Sequence, residues 1–361
     1  MKGPKDIKIF RWNEEEKALY ILDQRKVPEK FKEIKCKTHE EVAQAIENII
    51  VRGASAIAIC AAYGVVLGAL ESKDLDLMSF KQKMEFVILR LAATRPTAVN
   101  LFWALNRMKK ILQMGMNVKA ICEALEAEVK AMELEDIQKN RAMSKFGAEL
   151  LSNNEHVLTY CNTGDFATAG YGTALGVIRT AVETGKNIFV YVSETRPYHT
   201  GSRLTGYELE NLKIPYEIIT EGMVGYLMHK GDISCVLVGA DRIAANGDIA
   251  GKIGTYALSV LAKEHNIPFY VVAPTCSFDL SCSTGDKIPL EERKKEDIIK
   301  CPCSNLFGER SKYLAPKGAK VKTYYFDITP AENITAIITE KGVIGSPNEE
   351  RIREFFENLI K

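Results

Sequence analysis

Three stretches of this 361-residue chain place reactive or charged groups directly after a short apolar run. Cys161-Asn162-Thr163-Gly164 follows the run 156–160. Ser193-Glu194-Thr195-Arg196-Pro197-Tyr198 follows 188–192, and Gly239-Ala240-Asp241-Arg242 follows 236–238. A thiol, carboxyls and arginines suit acid–base work on a small anionic molecule. The Gly- and Ala-rich run 167–176 reads as a helix start just beyond Cys161, and helix N–H groups favour a thiolate. Asp241 follows an apolar strand; poor solvation there would raise its pKa and let it act as a protonated acid near neutral pH. Plainer readings stand beside these. Cys161 could be a packed thiol, and Asp241 could cap a helix or pair with Arg242.

Two further places could hold an anion. Val51-Arg52-Gly53-Ala54 begins a very apolar helix, where Gly lets backbone approach a ligand and Arg can grip a phosphate with two N–H groups. Arg95, in Thr94-Arg95-Pro96-Thr97, precedes another helix, with Pro96 near its first turn. By spacing alone, Gly53 could as well cap the previous helix, Arg52 form a salt bridge, and Arg95 mark an ordinary helix junction.

The elements that must position these groups follow from periodicity. Apolar–polar alternation over 7–12 and 18–23, separated by Asn13-Glu14-Glu15-Glu16-Lys17, predicts a hairpin. Thr38 and Glu41 form a capping box for a helix. Helical spacing continues through 54–70, 75–93, 97–115 and 117–151. After residue 155, strand-like runs at 156–160, 187–193, 216–220, 235–239 and 268–273 alternate with helices. That alternation predicts an α/β fold with a parallel sheet flanked by helices, whose strand C-termini share one edge. A last strand is expected over 320–326 and a terminal amphipathic helix over 348–360. The boundary between a helical N-terminal domain (1–140) and an α/β domain (141–361) is placed inside the long helix.

Composition narrows the class. With 46% hydrophobic and 26% charged residues and a net charge of +1, neither a nucleic-acid partner nor an acidic tail is expected. No apolar run is read as a membrane span or signal segment. The nine scattered cysteines suit a reducing cytoplasm. Cys301-Pro302-Cys303, with Cys276 and Cys282, lacks the spacing of a zinc site, so no metal is expected. No GxGxxG motif, phosphate-binding GxxxxGK loop or GxSxG elbow is present, which argues against dinucleotides, nucleotide hydrolysis and seryl chemistry.

The motifs Val51-Arg52-Gly53-Ala54, Ala93-Thr94-Arg95-Pro96-Thr97-Ala98-Val99-Asn100, Cys161-Asn162-Thr163-Gly164, Glu194-Thr195-Arg196-Pro197 and the run from Gly239 to Asp248 resemble the methylthioribose-1-phosphate isomerase family. That family is a sister group of the regulatory subunits of the initiation factor 2 exchange complex. The resemblance covers nearly the whole chain. It implies a Rossmann-like C-terminal domain, a homodimer, no cofactor, and conversion of an aldose 1-phosphate to a ketose 1-phosphate. By position it implies that Cys161 and Asp241 are the catalytic pair. It also implies that Arg52, Gly53, Ala54, Arg95, Thr200, Gly251 and Lys252 lie at substrate-binding positions.

This chain departs from the family pattern near the sugar. Thr200 stands where the family has Gln and Gly251 where it has Asn. Tyr160 replaces His, Asp165 a small apolar residue, and Thr323-Tyr324-Tyr325 an Asn-Pro-Ala run. The expectation is therefore an isomerase of a 5-substituted or 5-deoxy ribose 1-phosphate, with 5-deoxyribose 1-phosphate the first alternative to the methylthio sugar. The competing class is a non-catalytic regulatory subunit.

Overall fold

The computed structural model describes residues 7–290, 292–300 and 313–360; Cys301 and Cys303 lie outside them. Three antiparallel strands open the chain: β1 (Phe10–Asn13), β2 (Ala18–Leu22) and β3 (Glu33–Cys36). The expected hairpin thus gains a third strand. Helix α1 (His39–Glu47) begins with the capping box of Thr38 and Glu41. Helix α2 (Ala54–Glu71) is the centre of this half, packed by α3 (Leu77–Ala92), α4 (Val99–Leu112) and α5 (Val118–Leu150). At 18 residues and a mean hydropathy of 1.8, α2 is long and apolar enough to cross a membrane, although the sequence reading takes no apolar run as a span. It is 83% buried within the protein, as a core helix.

The second half alternates as expected: β4 (Glu155–Tyr160), α6 (Ala174–Glu183), β5 (Ile188–Ser193), α7 (Gly206–Leu212), β6 (Tyr216–Ile219), α8 (Val224–Lys230) and β7 (Cys235–Gly239). A short hairpin of β8 (Arg242–Ala244) and β9 (Ile249–Lys252) follows, then α9 (Thr255–Glu264) and β10 (Phe269–Val272). The chain ends with β11 (Phe278–Asp279), α10 (Glu296–Ile299), β12 (Phe326–Thr329), β13 (Ala336–Thr339), β14 (Gly342–Gly345) and α11 (Glu349–Ile360). The last strand expected over 320–326 therefore sits later, at β12, and does not join the main sheet.

The main sheet has the order β14-β13-β10-β7-β4-β5-β6 and is parallel except for β14. One face packs Val177, Ile178, Met143 and Leu209 from the helices; the other packs Leu227, Leu258 and Ile352. Each such fully buried aliphatic side chain contributes roughly 1.5–3 kcal/mol. The chain builds outward from β4 through β5 to β6, then returns to lay β7 on the opposite side of β4. The reversal creates a crevice at the C-termini of β4 and β7, the position where open α/β sheets bind ligands. The smaller sheet, β11-β8-β9-β12, stands beside that crevice.

Helix α5 passes unbroken through the boundary expected at 140. Its first half buries Ile121, Leu125, Val129 and Met132 in the helical core, and its second half buries Met143 and Ala148 under the sheet.

Candidate active site

Cys161 is the first residue after β4, and Asp241 the second after β7. Both line one cleft together with Arg52, Gly53, Ala54, Arg95 and Lys252. Seven of the nine expected site residues thus come together from both halves of the chain. Thr200 and Gly251 are buried and do not line this cleft; Thr200 lines an adjoining cavity instead.

The local setting of Cys161 differs from the sequence reading. Helix α6 begins only at Ala174, because Thr163 draws the intervening loop back: its carbonyl accepts from Thr173 N at 2.7 Å and its hydroxyl from Leu175 N at 3.2 Å. Cys161 is therefore not at a helix N-terminus. It occupies a left-handed turn, φ 64°, a conformation that costs a non-glycine residue on the order of 1–3 kcal/mol. Hydrogen bonds hold it there. Its N–H donates to Thr195 Oγ1 at 3.0 Å, and its carbonyl accepts from Thr205 Oγ1 at 2.7 Å. Its sulfur accepts from Thr200 Oγ1 at 3.4 Å.

Asn162 is structural. Its Nδ2 donates to Glu208 Oε1 at 2.7 Å, and its carbonyl accepts from Arg52 Nη2 at 2.7 Å. Glu208 also accepts the N–H of Asp165 at 2.8 Å. Burial, and then the charge of Asp165, pushes the Glu208 carboxyl well above the usual carboxylate range. Asp165 itself accepts from Ile7 N and Tyr171 N, which ties the N-terminal strand region to the cysteine loop. This pair of buried carboxyls was not legible as a pair from sequence.

The cationic end of the cleft is built on α2. Gly53 precedes the helix at φ 98° with no side-chain cap, so the first helical N–H groups and the helix dipole face the cleft. A Cβ on Gly53 would stand 2.4 Å from both Cα and O of Ala167, so glycine is required by closeness as well as by φ. Arg52 is buried, and its Nη1 finds no hydrogen-bond acceptor among the described residues. The same holds for Lys252 Nζ, on β9, which lies 3.3 Å from the Tyr325 ring centroid and 5.5 Å from that of Tyr198. Arg95 is buried over Tyr325 and Phe326, at 5.5 and 6.0 Å. Helix α4 starts at Val99, so Arg95 and Pro96 lie in the loop before it and not in its first turn.

Asp241 lies between β7 and β8, away from any helix start. Its N–H donates to Ala250 O at 2.9 Å as the chain crosses into the small sheet, and Arg242 pairs with Asp279. The third loaded strand end, after β5, joins the site through its threonines. Arg196 turns away to Ile298 O at 2.7 Å, and Tyr198 OH donates to Asp297 at 2.7 Å. Burial alone would raise Glu194, but hydrogen bonds from His199, Ser202 and the Thr195 N–H hold it at about 2, so it stays an anion that anchors this loop.

Tyr325, one of the departures noted near the sugar, lines the cleft; sequence reasoning missed Phe326, Ser277 and Thr255. The Asn246-Gly247 step is a hairpin signal that could have placed β8 and β9, and with them Lys252. Among the described residues no group of three or more His, Cys, Asp or Glu side chains is arranged to hold a metal. The cleft thus joins a thiol, a carboxyl and buried cationic donors: a place to seat an anionic group and move protons next to it.

Nearly the whole chain is similar to known proteins. The sequence pattern of the Initiation factor 2 subunit family matches residues 50–346. A protein named methylthioribose-1-phosphate isomerase from Thermosipho africanus is 51% identical over 348 residues, covering 96% of this chain and 98% of its own. The crystal structure of 5-methylthioribose 1-phosphate isomerase from Pyrococcus horikoshii is 37% identical, with a TM-score of 0.86 and coverage of 97% and 96%. A crystal structure named translation initiation factor eIF-2B, subunit delta, from A. fulgidus is 43% identical, with a TM-score of 0.82 and coverage of 97% and 99%.

Proposed function

The chain belongs to the Initiation factor 2 subunit family and, within it, to the aldose–ketose isomerases, and from that membership we propose that it converts 5-methylthioribose 1-phosphate to the corresponding ribulose 1-phosphate. The observation that carries the reading is the meeting of four groups. Cys161 and Asp241 close the strand-order reversal, and the cleft they face holds two buried cationic atoms, Arg52 Nη1 and Lys252 Nζ, with no acceptor among the described residues. A phosphate at the N-terminus of α2 would give both a partner.

The chemistry assigns the pair. Phosphate on the anomeric oxygen prevents spontaneous ring opening, so an acid must protonate the ring oxygen. Asp241 supplies that proton, and the C1–ring oxygen bond breaks with its electrons going to that oxygen. Hydrogen then moves from C2 to C1 while the C2 hydroxyl gives its proton to the Asp241 carboxylate and becomes a carbonyl, which restores the acid; C2 is oxidised, C1 is reduced, and no external redox partner is needed. Cys161 either relays the hydrogen as a proton or stabilises its passage as hydride. Turnover in D2O separates these: the relay brings solvent deuterium to C1, and the hydride shift does not.

One departure from the family pattern leaves less room in the cleft. Tyr325 projects into the cleft against Lys252, where the family pattern has a less bulky residue. 5-Deoxyribose 1-phosphate is accordingly the second substrate to test, by comparing kcat/KM for the two sugars. Cys161→Ala and Asp241→Asn should each lower kcat by about 100-fold or more. Turnover retained in either variant would remove that residue from the mechanism. A wild-type protein inert toward both sugars would favour the regulatory-subunit class. The working form is read as a cytoplasmic homodimer, which light scattering and cell fractionation test.

A further inference from the structure

The loop leaving β5 carries Thr195, Thr200 and Thr205, all nearly fully buried, and all three hydroxyls end on Cys161. A hydroxyl has one proton to give, so the allocation can be read off. Thr195 gives its proton to Ser193 O and accepts the Cys161 N–H. Thr205 gives its proton to Cys161 O and accepts from Asn162 Nδ2. Thr200 gives its proton to the sulfur, at 3.4 Å, and this is its side chain's single hydrogen bond among the described residues. Thr200 is 2% exposed and stands outside the cleft that Cys161 faces.

We propose that Thr200 is a positioning residue that acts through Cys161: its hydroxyl orients the sulfur and stabilises the thiolate, and it does not contact the sugar. Thr195 and Thr205 fix the backbone of the left-handed turn, and Thr200 fixes the sulfur itself. An O–H bond to an ionised acceptor is stronger than one to a neutral acceptor, so the hydroxyl favours the thiolate over the thiol. In the family pattern a glutamine occupies this position. A threonine is too short to reach past the sulfur into the cleft, but it is the right length to reach the sulfur. The inference rests on the reading of Cys161 as the reacting thiol, yet its test needs no substrate.

The experiment is iodoacetamide alkylation of Cys161 as a function of pH, followed on the Cys161-containing peptide by mass spectrometry, in wild type, Thr200→Val and Thr200→Ser. Losing the hydroxyl removes the one side-chain hydrogen bond that favours thiolate over thiol at this sulfur, and the less stabilised thiolate is intrinsically more nucleophilic, which offsets part of the loss. The net expectation is a rate at pH 7 roughly three- to ten-fold lower in Thr200→Val. The rate–pH profile moves to higher pH, and Thr200→Ser restores the wild-type profile. If the sugar phosphate is turned over, kcat falls in Thr200→Val while KM stays within about two-fold. A Thr200→Val profile that superimposes on wild type overturns the proposal. So does a raised KM with kcat retained, which would mean that Thr200 binds substrate. Should Thr200→Val not fold, Thr200→Ala is read by the same criteria. Absence of turnover with an altered alkylation profile would refute the proposed reaction and leave the role of Thr200 standing.

Discussion

Replacing Lys252 with methionine should make the ligand-free protein more stable and nearly abolish its activity. Lys252 is 7% exposed, and its ammonium has no hydrogen-bond acceptor among the described residues. A buried charge in that state costs several kcal/mol. The faces of Tyr325 and Tyr198 return about 2 kcal/mol, and the charge of Asp327 returns part of the rest. Methionine keeps the length and the contact with Tyr325, with about 0.3–1.5 kcal/mol of sulfur–aromatic attraction. The net expectation is a gain of about 1–3 kcal/mol. For a chain this long the entropy of unfolding is about 0.8 kcal/mol/K, so Tm should rise roughly 1–4 °C. Removing one member of a buried charge pair costs 2 kcal/mol or more in binding, so kcat/KM should fall at least about 30-fold. Calorimetry on both proteins, with and without sugar phosphate, measures each term. Saturating ligand should raise the wild-type Tm more than that of Lys252→Met. A variant that melts below wild type while keeping its kcat/KM would refute the idea that this ammonium is held in reserve for an anion.

Other outcomes follow from the same geometry. Gly53→Ala puts a Cβ 2.4 Å from the Ala167 backbone at φ 98°; the two segments must separate, and both stability and substrate affinity should drop, the former by about 2 kcal/mol or more in denaturant melts. Burial, partly offset by the N–H groups of Gly254 and Tyr256, raises Asp327 from 3.8 to about 6. The folded state therefore binds this proton more tightly than the unfolded state. Its stabilising contribution is complete below about pH 4 and fades as pH rises through 6. The stability difference between wild type and Asp327→Asn should accordingly shrink by about 3 kcal/mol across that window, and a flat difference in pH-resolved melts would count against the burial.

Much of the site was legible because parallel strands present their ends together. On that ground Cys161 and Asp241 could be brought to one sheet edge once β4 and β7 were recognised as strands, and the family resemblance then made them a pair. Arg52 and Gly53 were marked by their place before an apolar helix. What escaped was set by contacts distant in sequence. The left-handed turn at Cys161 is held by Thr195 and Thr205 and its sulfur by Thr200, 34 to 44 residues away, and no local pattern announces it. Glu208 reads as an ordinary charged position on α7, and its burial follows from the way the Asn162–Asp165 loop folds over it. The small sheet was missed because its strands are two to four residues long, too short to display alternation. Tyr325 reaches the cleft only because β12 pairs with β9 and not with the main sheet.

The 33-residue helix α5, about 50 Å long, sets how this protein can be divided. A cut at residue 140 would leave each fragment with part of the helix and a bare apolar stripe, one lacking its sheet and the other its helical neighbours. Neither fragment would inherit a complete interior. Engineers seeking split reporters or inserted sensor modules should look instead to the turn at Gly185, where added bulk meets nothing within 4 Å. The spine that spans the chain is thus the part least open to revision, and the surface turn that follows α6 is where new sequence could be accepted.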